Sequence, residues 1–363
     1  QHIKEAAYFR SASPEPSNYM ITDSVSGDRV SLATILSKGT AADFNKFTEF
    51  AKFSTIMAGG FDGVNILDKN SVRFSDKATS TETNGCANAS YISPGALSAN
   101  YSGTGLNNNA INSYRIAIDI ATDPLVAKNN VLAIPGQREP LVADYAAEKN
   151  KSNGLSFYIM DIPTYNSSNT RIFDGDSNQY IDINKTADNF DSRAIDNNST
   201  AVYFPNFVME DTVNNRRVTV PASVAGVSAF AFNDKVAYPW FIPAGFNRNA
   251  LGFVVLPVTK INQADKNKLN DTRINPIVKF PGQGYVLFSQ KTLQQGKTSL
   301  ESINVKRMMI EVKRAISELG NKILFEQNTS SLRSQFIKDA STILSTIQIQ
   351  KGIELFKVIC DDT

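Results

Sequence analysis

Apolar residues in the middle of the chain follow two alternating spacings. Short continuous apolar runs, which are typical of buried strands, lie at 130–135, 155–162 and 201–208. Apolar or small residues recur with helical spacing at 111–121, 138–150 and 221–232. Strands that alternate with helices in this way usually pair in parallel, in a sheet that helices cover on both faces.

The pattern changes near residue 246. A short helix is predicted at 262–271, and two strands, 276–280 and 285–290, flank a turn that contains two glycines. Beyond them, apolar residues follow helical spacing over two much longer stretches.

These two long helices each carry a continuous apolar stripe. The first stripe runs from Val305 to Ile323 in steps of three or four residues, and the second runs from Leu332 to Ile347. We expect both helices to pack on a small sheet that includes 284–290 and 355–360.

The predicted fold class is therefore α/β, more exactly mixed α+β, with more than one domain. Region 1–108 is rich in loops and short strands, with one helix near 41–57. A middle α/β domain is predicted at 109–245, and a C-terminal domain built on the two long helices at 246–363.

The charge of the chain argues against two classes of binding partner, and its cysteine content argues against a fold held by disulfides. The chain has 37 Lys and Arg against 35 Asp and Glu, a net charge of +2. This balance gives no case for binding nucleic acid or an anionic membrane, because both need a concentrated basic surface. Two cysteines, Cys86 and Cys360, cannot form a disulfide framework.

The chain lacks the residues that most catalytic devices need. Its single histidine is His2, so Ser–His and Cys–His pairs and His-ligated metal sites are excluded. Composition leaves a carboxylate pair open, but the sequence singles none out. We predict no catalytic residues, no cofactor and no enzymatic activity.

Residues 174–182 are spaced like a calcium-binding loop. The four candidate ligands are Asp174, Asp176, Asn178 and Asp182. However, Gln179 replaces the glycine of the sharp turn, and Lys185 replaces the acid at the twelfth position. We therefore predict a solvated acidic turn, with calcium binding as the alternative.

Three groups of motifs in the last third of the chain supply turns, strands and caps rather than reactive groups. They are Pro-Trp-Phe-Ile-Pro-Ala-Gly at 239–245, Leu-Asn-Asp with Ile-Asn-Pro-Ile at 269–277, and Gly-Gln-Gly with Gln-Lys-Thr-Leu at 282–293. Shorter elements follow at 302–307, 324–328 and 356–361, and others precede them at 59–63, 112–117, 132–136 and 221–226. Trp240, the only tryptophan, is predicted to pack at a junction between domains.

Together these motifs resemble the contractile tail sheath proteins of bacteriophages, and related bacterial injection machines have similar proteins. The resemblance implies a structural subunit that polymerises as stacked hexameric rings around an inner tail tube and contracts to drive the tube through the host envelope. Its partners would be neighbouring sheath subunits and the tube protein. Its location would be the virion tail, assembled in the host cytoplasm.

The resemblance also implies that this chain is a fragment without the C-terminal arm and without some N-terminal parts. Such a fragment is expected to be monomeric. Because the C-terminal domain of the family lies next to the tube, four basic residues of the first long helix become candidate tube contacts: Lys306, Lys313, Arg314 and Lys322. The plainer interpretation is a solvated helix face.

A second function stays open on the sequence. An α/β protein of this kind could bind or hydrolyse a small molecule at the C-terminal edge of its parallel sheet. A deep pocket lined by carboxylates at that edge would favour this alternative, and a shallow polar surface would favour the sheath subunit.

Overall fold

The computed structural model describes a large part of the chain. The described residues are 79–80, 105–173, 180–213, 215–246 and 251–360. All of them belong to one compact unit, residues 63–363. The predicted helix at 41–57 and most of region 1–108 lie outside the described residues.

Seven α-helices and ten strands occur in these residues. The helices are α1 (Asn109–Thr122), α2 (Pro140–Asn153), α3 (Ile183–Asp191), α4 (Ala222–Val236), α5 (Gln263–Asp271), α6 (Ile303–Lys322) and α7 (Ser330–Ile349). The strands are β1 (Val131–Ala133), β2 (Phe157–Met160), β3 (Thr164–Tyr165), β4 (Arg171–Ile172), β5 (Thr200–Phe204), β6 (Phe207–Asp211), β7 (Arg216–Val220), β8 (Val254–Pro257), β9 (Ile274–Phe280) and β10 (Gly284–Leu287). The predicted mixed α/β class is confirmed.

Local signals fix the ends of the first helices. Asn108 caps α1, because its side chain accepts hydrogen bonds from the backbone N–H groups of Ala110 and Ile111. Pro140 begins α2 at a position where no N–H is needed, and Gly154 ends it in the left-handed conformation.

A five-stranded sheet in the order β1-β2-β5-β9-β10 forms the centre of the fold. The first four strands pair in parallel, and β10 is antiparallel to β9. The prediction of parallel strands between alternating helices is confirmed.

Alternate residues of the central strands are buried on opposite faces of this sheet. Tyr158 and Val202 point to the face covered by α1, α2 and α3. Ile159 and Tyr203 point to the other face, which α4 and α6 cover. Burial on both faces accounts for the continuous apolar runs in the sequence.

The small separate sheet expected under the two long helices is not found. Strand β10 extends the central sheet, and residues 355–360 form no strand. The reason lies in β9, whose first half pairs with β5 and whose second half pairs with β10. The sheet thus takes strands from both sides of residue 245, and the domain boundaries proposed from the sequence stay predictions.

The predicted strand at 201–208 is in fact two strands. Strand β5 ends at Phe204 in the central sheet, and β6 begins at Phe207 in a three-stranded antiparallel sheet with β7 and β8. Pro205 lies between them, and its missing N–H interrupts a strand ladder. A two-stranded ribbon, β3 with β4, and helix α3 were also not predicted.

Trp240 is buried, as the sequence predicts. It packs with Met308 of α6 and Ile347 of α7, and its ring Nε1 donates a hydrogen bond to the carbonyl of Gln350 at 3.1 Å. Helix α6 packs its other apolar side on the central sheet through Ile303 and Ile310, whereas α7 packs on α6 and Trp240.

Arg314 fastens α6 to the start of two sheet strands. Its Nη2 donates to the carbonyl oxygens of Asn129, at 2.8 Å, and Leu155, at 2.6 Å. Its Nη1 donates to the side chain of Asn130. These acceptors lie just before β1 and β2, so a single guanidinium holds the helix across the strand ends.

Gly226 of α4 provides the first test of this packing. A Cβ at this position would lie 2.8 Å from two ring atoms of Tyr203 and 3.3 Å from Cδ1 of Ile159. Overpacking costs ~1–3 kcal/mol and alanine regains only ~1 kcal/mol of helix propensity. We expect Gly226→Ala to lower the free energy of unfolding in denaturant titrations. Gly320→Ala in α6, where no atom lies within 4 Å, should raise it, and equal effects would contradict the packing argument.

Arg314→Lys tests whether the hydrogen bonds of Arg314 hold α6 against the strand ends. The substitution keeps the charge but loses the planar group that reaches three acceptors, so we expect a loss of roughly 1–3 kcal/mol in the free energy of unfolding. Arg216→Lys is the matched control, because Arg216 is exposed and paired with Asp211 at 3.5 Å; its effect should stay below ~0.5 kcal/mol. Similar losses in both variants would refute the role of Arg314.

Candidate functional site

Asp161 occupies the C-terminal edge of the parallel strands, directly after β2. Its carboxylate accepts hydrogen bonds from the N–H of Gly136 at 3.0 Å and the N–H of Ser223 at 2.9 Å. The hydroxyl of Ser223 donates a third at 2.6 Å. Asp161 therefore joins the end of β2 to the loop after β1 and to the first turn of α4.

The protonation of Asp161 reflects opposing effects. Burial raises the pKa of this carboxyl above its usual range, whereas the nearby Arg138 guanidinium and the hydrogen bonds from Ser223 and Gly136 favour the ionised form. Both carboxylate oxygens already accept hydrogen bonds inside the chain, which makes Asp161 a structural connection.

A second buried polar group lies at the same edge. Arg171 of β4 donates to a carboxylate oxygen of Glu139 at 2.8 Å and to the hydroxyl of Ser80 at 3.2 Å. Gln137 accepts a hydrogen bond from Thr79 at 3.1 Å. Thr79 and Ser80 thus contact buried polar groups at this edge, where Arg171 and Glu139 form an ion pair.

These contacts do not favour the small-molecule alternative. Among the described residues, no group of three or more His, Cys, Asp or Glu is placed to hold a metal ion. A cleft of about 110 Å³ lies at the opposite strand ends, between Pro124, Leu155 and Arg314. Ligand pockets usually measure ~300–1,000 Å³.

The four basic candidates on α6 have different surroundings. Arg314 is held inside the chain as described above. Lys313 is exposed, and its Nζ donates to the carbonyl of Asn153 at 3.0 Å. Lys322 is exposed at the end of the helix, whereas Lys306 is half-buried. The structure therefore does not bring the four together as one uniform solvated face.

Burial is the main influence on the pKa of Lys306. It lowers the pKa of this ammonium, and the positive charges of Lys313 and Lys151 lower it further. The sequence pattern of α6 could not reveal Lys151, because this residue belongs to the last turn of α2.

The calcium-loop prediction falls partly outside the described residues. Asp174, Asp176 and Asn178 are not described. Asp182 caps α3, since its side chain accepts a hydrogen bond from the N–H of Lys185 at 3.1 Å. Calcium binding stays a prediction.

Several large apolar side chains are exposed around and after the two long helices. The most exposed are Phe325 at 98%, Leu355 at 86% and Ile349 at 82%. Single exposed apolar side chains are common on protein surfaces, and only contiguous patches of them mark contact surfaces. Within the described residues, no helix combines the length and the apolar character needed to cross a membrane.

Sequence comparison identifies relatives over part of the chain. The chain is 38% identical over 149 residues to the tail sheath protein of Vibrio phage KVP40 and 33% identical over 149 residues to that of Enterobacteria phage T4. Each match covers 41% of this chain and 22% of the relative, so the chain matches about a fifth of the length of these relatives. No family model matches the chain.

Solved structures share the fold. A protein of the contracted anti-feeding prophage (AFP) baseplate has a TM-score of 0.51 at 19% identity, covering 65% of this chain and 61% of that one. The sheath complex of an extracellular contractile injection system, PVC, in its contracted state gives 0.50 at 18% identity, covering 65% and 59%. At these identities the likeness concerns the fold. With the sequence matches it confirms the predicted resemblance: the chain is a relative of the contractile phage tail sheath proteins.

Proposed function

We propose that this chain forms part of a structural subunit of a contractile phage tail sheath. In this proposal the subunit polymerises as stacked hexameric rings around an inner tail tube, and contraction drives the tube through the host envelope. The 38% identity over 149 residues to a phage tail sheath protein carries the proposal. The subunit would reside in the virion tail and would have no enzymatic role.

The internal contacts of the fold suit a subunit that moves as a rigid body. The sheet is buried on both faces, and Arg314 and Trp240 hold the long helices through hydrogen bonds and packing. Contraction of a polymer repacks surfaces between subunits, which requires that each subunit keep its own shape. The partners would be other sheath subunits and the tube protein.

A chimera tests the assembly function. In the tail sheath protein of Vibrio phage KVP40, the 149 matched residues are replaced by the corresponding residues of this chain. We expect electron microscopy to show tubular polymers like those of the unmodified parent, because the matched segment supplies compatible surfaces. The resemblance also implies that the 363-residue chain alone should scatter light as a monomer.

Circular dichroism of the chimera provides the control for folding. A chimera with the parent's spectrum and thermal midpoint that stays monodisperse, without tubes, would contradict the proposed function. Long tubes formed by the isolated chain would contradict only the monomer expectation.

We also propose that α6 faces the inner tube, with Lys306, Lys313 and Lys322 available for contact and Arg314 holding the helix in place. Charge pairs at such an interface set register and break readily. We expect Lys313→Met with Lys322→Met to weaken co-sedimentation with tail tubes from the same virion by about threefold or more, since each rim charge contributes modestly. Lys338→Met with Lys351→Met is the control, and an equal effect would contradict the tube contact.

A further inference from the structure

We propose that the turn after α6 is a knob that docks into a cleft on a second copy of this chain. The knob comprises residues 324–326, Leu-Phe-Glu. The cleft lies between α6 and the loop that follows α1, and both Pro124 and Leu155 line it. The contact would therefore join the end of α6 in one copy to the end of α1 in another.

The backbone of the knob presents an aromatic ring to solvent. Phe325 has a φ of 72°, in the left-handed region that bulky side chains rarely adopt. Its side chain is 98% exposed, and the adjacent Leu324 is exposed as well. A disfavoured backbone that places two neighbouring apolar side chains in water does not serve the core of a single chain. Such outliers often mark functional positions.

The cleft has about the size of one aromatic side chain. Its volume is about 110 Å³, and its apolar lining comes from Pro124, Ala127 and Leu155. A closed cavity of ~150 Å³ encloses a whole benzene molecule, so this open cleft can bury most of a phenyl ring. An aromatic anchor in a small pocket is a typical centre of a protein–protein contact.

The loop beside the cleft extends the receiving surface. Leu125 is 94% exposed, and Val126 is also exposed. Asp123 holds this loop in place: its side chain accepts a hydrogen bond from the N–H of Leu125 at 2.9 Å, and its carbonyl accepts one from the N–H of Ala127 at 2.9 Å. The loop thus offers a preformed apolar rim on which Leu324 of the second copy can pack.

The charges of the two surfaces are complementary. The ionisable residues that line the cleft are Lys128, Arg314 and Glu318, two cations and one acid. The ammonium of Lys128 lies 3.9 Å from the carboxylate of Glu318, and both side chains are exposed, so this pair is weak. Glu326 is exposed directly after Phe325. When the ring enters the cleft, the carboxylate of Glu326 is placed to meet Lys128 and to set the register of the contact.

A second copy is the occupant that these features indicate. Because Phe325 is 98% exposed, it does not fill the cleft of its own chain, yet the same chain carries both complementary surfaces. Knob and cleft are different surfaces, so each copy can donate to one neighbour and receive from another. Contacts of this head-to-tail kind build rings or helical filaments. That continuation rests on the proposed function, whereas the contact between two copies does not.

The contact is weak by itself. One buried aromatic side chain accounts for ~150–250 Å², whereas stable protein interfaces bury ~1,200–2,000 Å². The chain is therefore still expected to be a monomer in dilute solution. The knob would add to the contacts between copies that other surfaces hold together.

Photo-cross-linking tests the contact. The photoreactive residue p-benzoylphenylalanine replaces Phe325, and the variant is mixed at high concentration with isotope-labelled unmodified chain and irradiated. We expect mass spectrometry to find cross-links from position 325 to residues 124–128 or 153–155 of the labelled copy. The matched control places the same photoreactive residue at Phe232, an exposed aromatic residue of α4, and should give few cross-links to the cleft.

Charge reversal tests the predicted register. Glu326→Lys in the photoreactive chain should lower the yield of these cross-links about threefold or more, because an exposed attraction becomes a repulsion. Lys128→Glu in the labelled copy should restore the yield. Lys338→Glu in the labelled copy, an exposed charge change on α7, is the control and should not restore it. Rescue by both variants, or by neither, would overturn the pairing of Glu326 with Lys128.

Thermal midpoints verify that all variants fold. Cross-links confined to the photoreactive chain itself, equal yields at the cleft from positions 325 and 232, or links to another surface of the labelled copy would overturn the docking site. Links that form only after tail tubes are added would assign the knob to the tube and overturn the second copy as its occupant. Failure of the KVP40 chimera to assemble would leave the cross-links unaffected, so the two proposals fail independently.

Discussion

Burial of the central sheet on both faces is the constraint on which the described structure depends. Each central strand must supply apolar side chains to two opposite layers, so Tyr158 and Ile159, adjacent in the chain, belong to different cores. A shift of one residue in register would exchange the two sets of side chains. The close contact between Gly226 and the ring of Tyr203 shows how tightly one of these layers is packed.

Polar groups at the two ends of the parallel strands fix the layers to each other. At one end, Asp161 joins β2 to the start of α4. At the other end, Arg314 joins α6 to the residues before β1 and β2. In many α/β proteins the carboxyl ends of the parallel strands bind a ligand. Here the polar groups are used mainly to hold the chain to itself, as suits a relative of structural sheath proteins.

The sequence predicts well those elements whose apolar residues follow a continuous local pattern. Strands β1, β2 and β5 and helices α1, α2 and α6 follow from continuous apolar runs or long stripes. Strands β6 and β7 were harder to predict, because they form a smaller sheet in which many residues are partly exposed. The role of β9 was misjudged, since no local pattern reveals that one strand pairs along both edges with different partners.

The candidate site could be predicted only in part, for a related reason. Helical spacing places Lys306 and Lys313 on the same side of α6, two turns apart. The contact of Lys313 with Asn153 joins residues 160 positions apart. The lack of a side chain at Gly154 matters for packing only because Lys313 of α6 lies beside it. Long-range packing of this kind leaves no periodic signal in the sequence.

The double pairing of β9 has a mechanical consequence. Hydrogen bonds run along both of its edges, to β5 in its first half and to β10 in its second. Beyond β10, the bridge between Asn197 and Leu293 ties the following segment to the region just before β5. Tension along this strand would load several hydrogen bonds at once in shear, rather than opening them one after another.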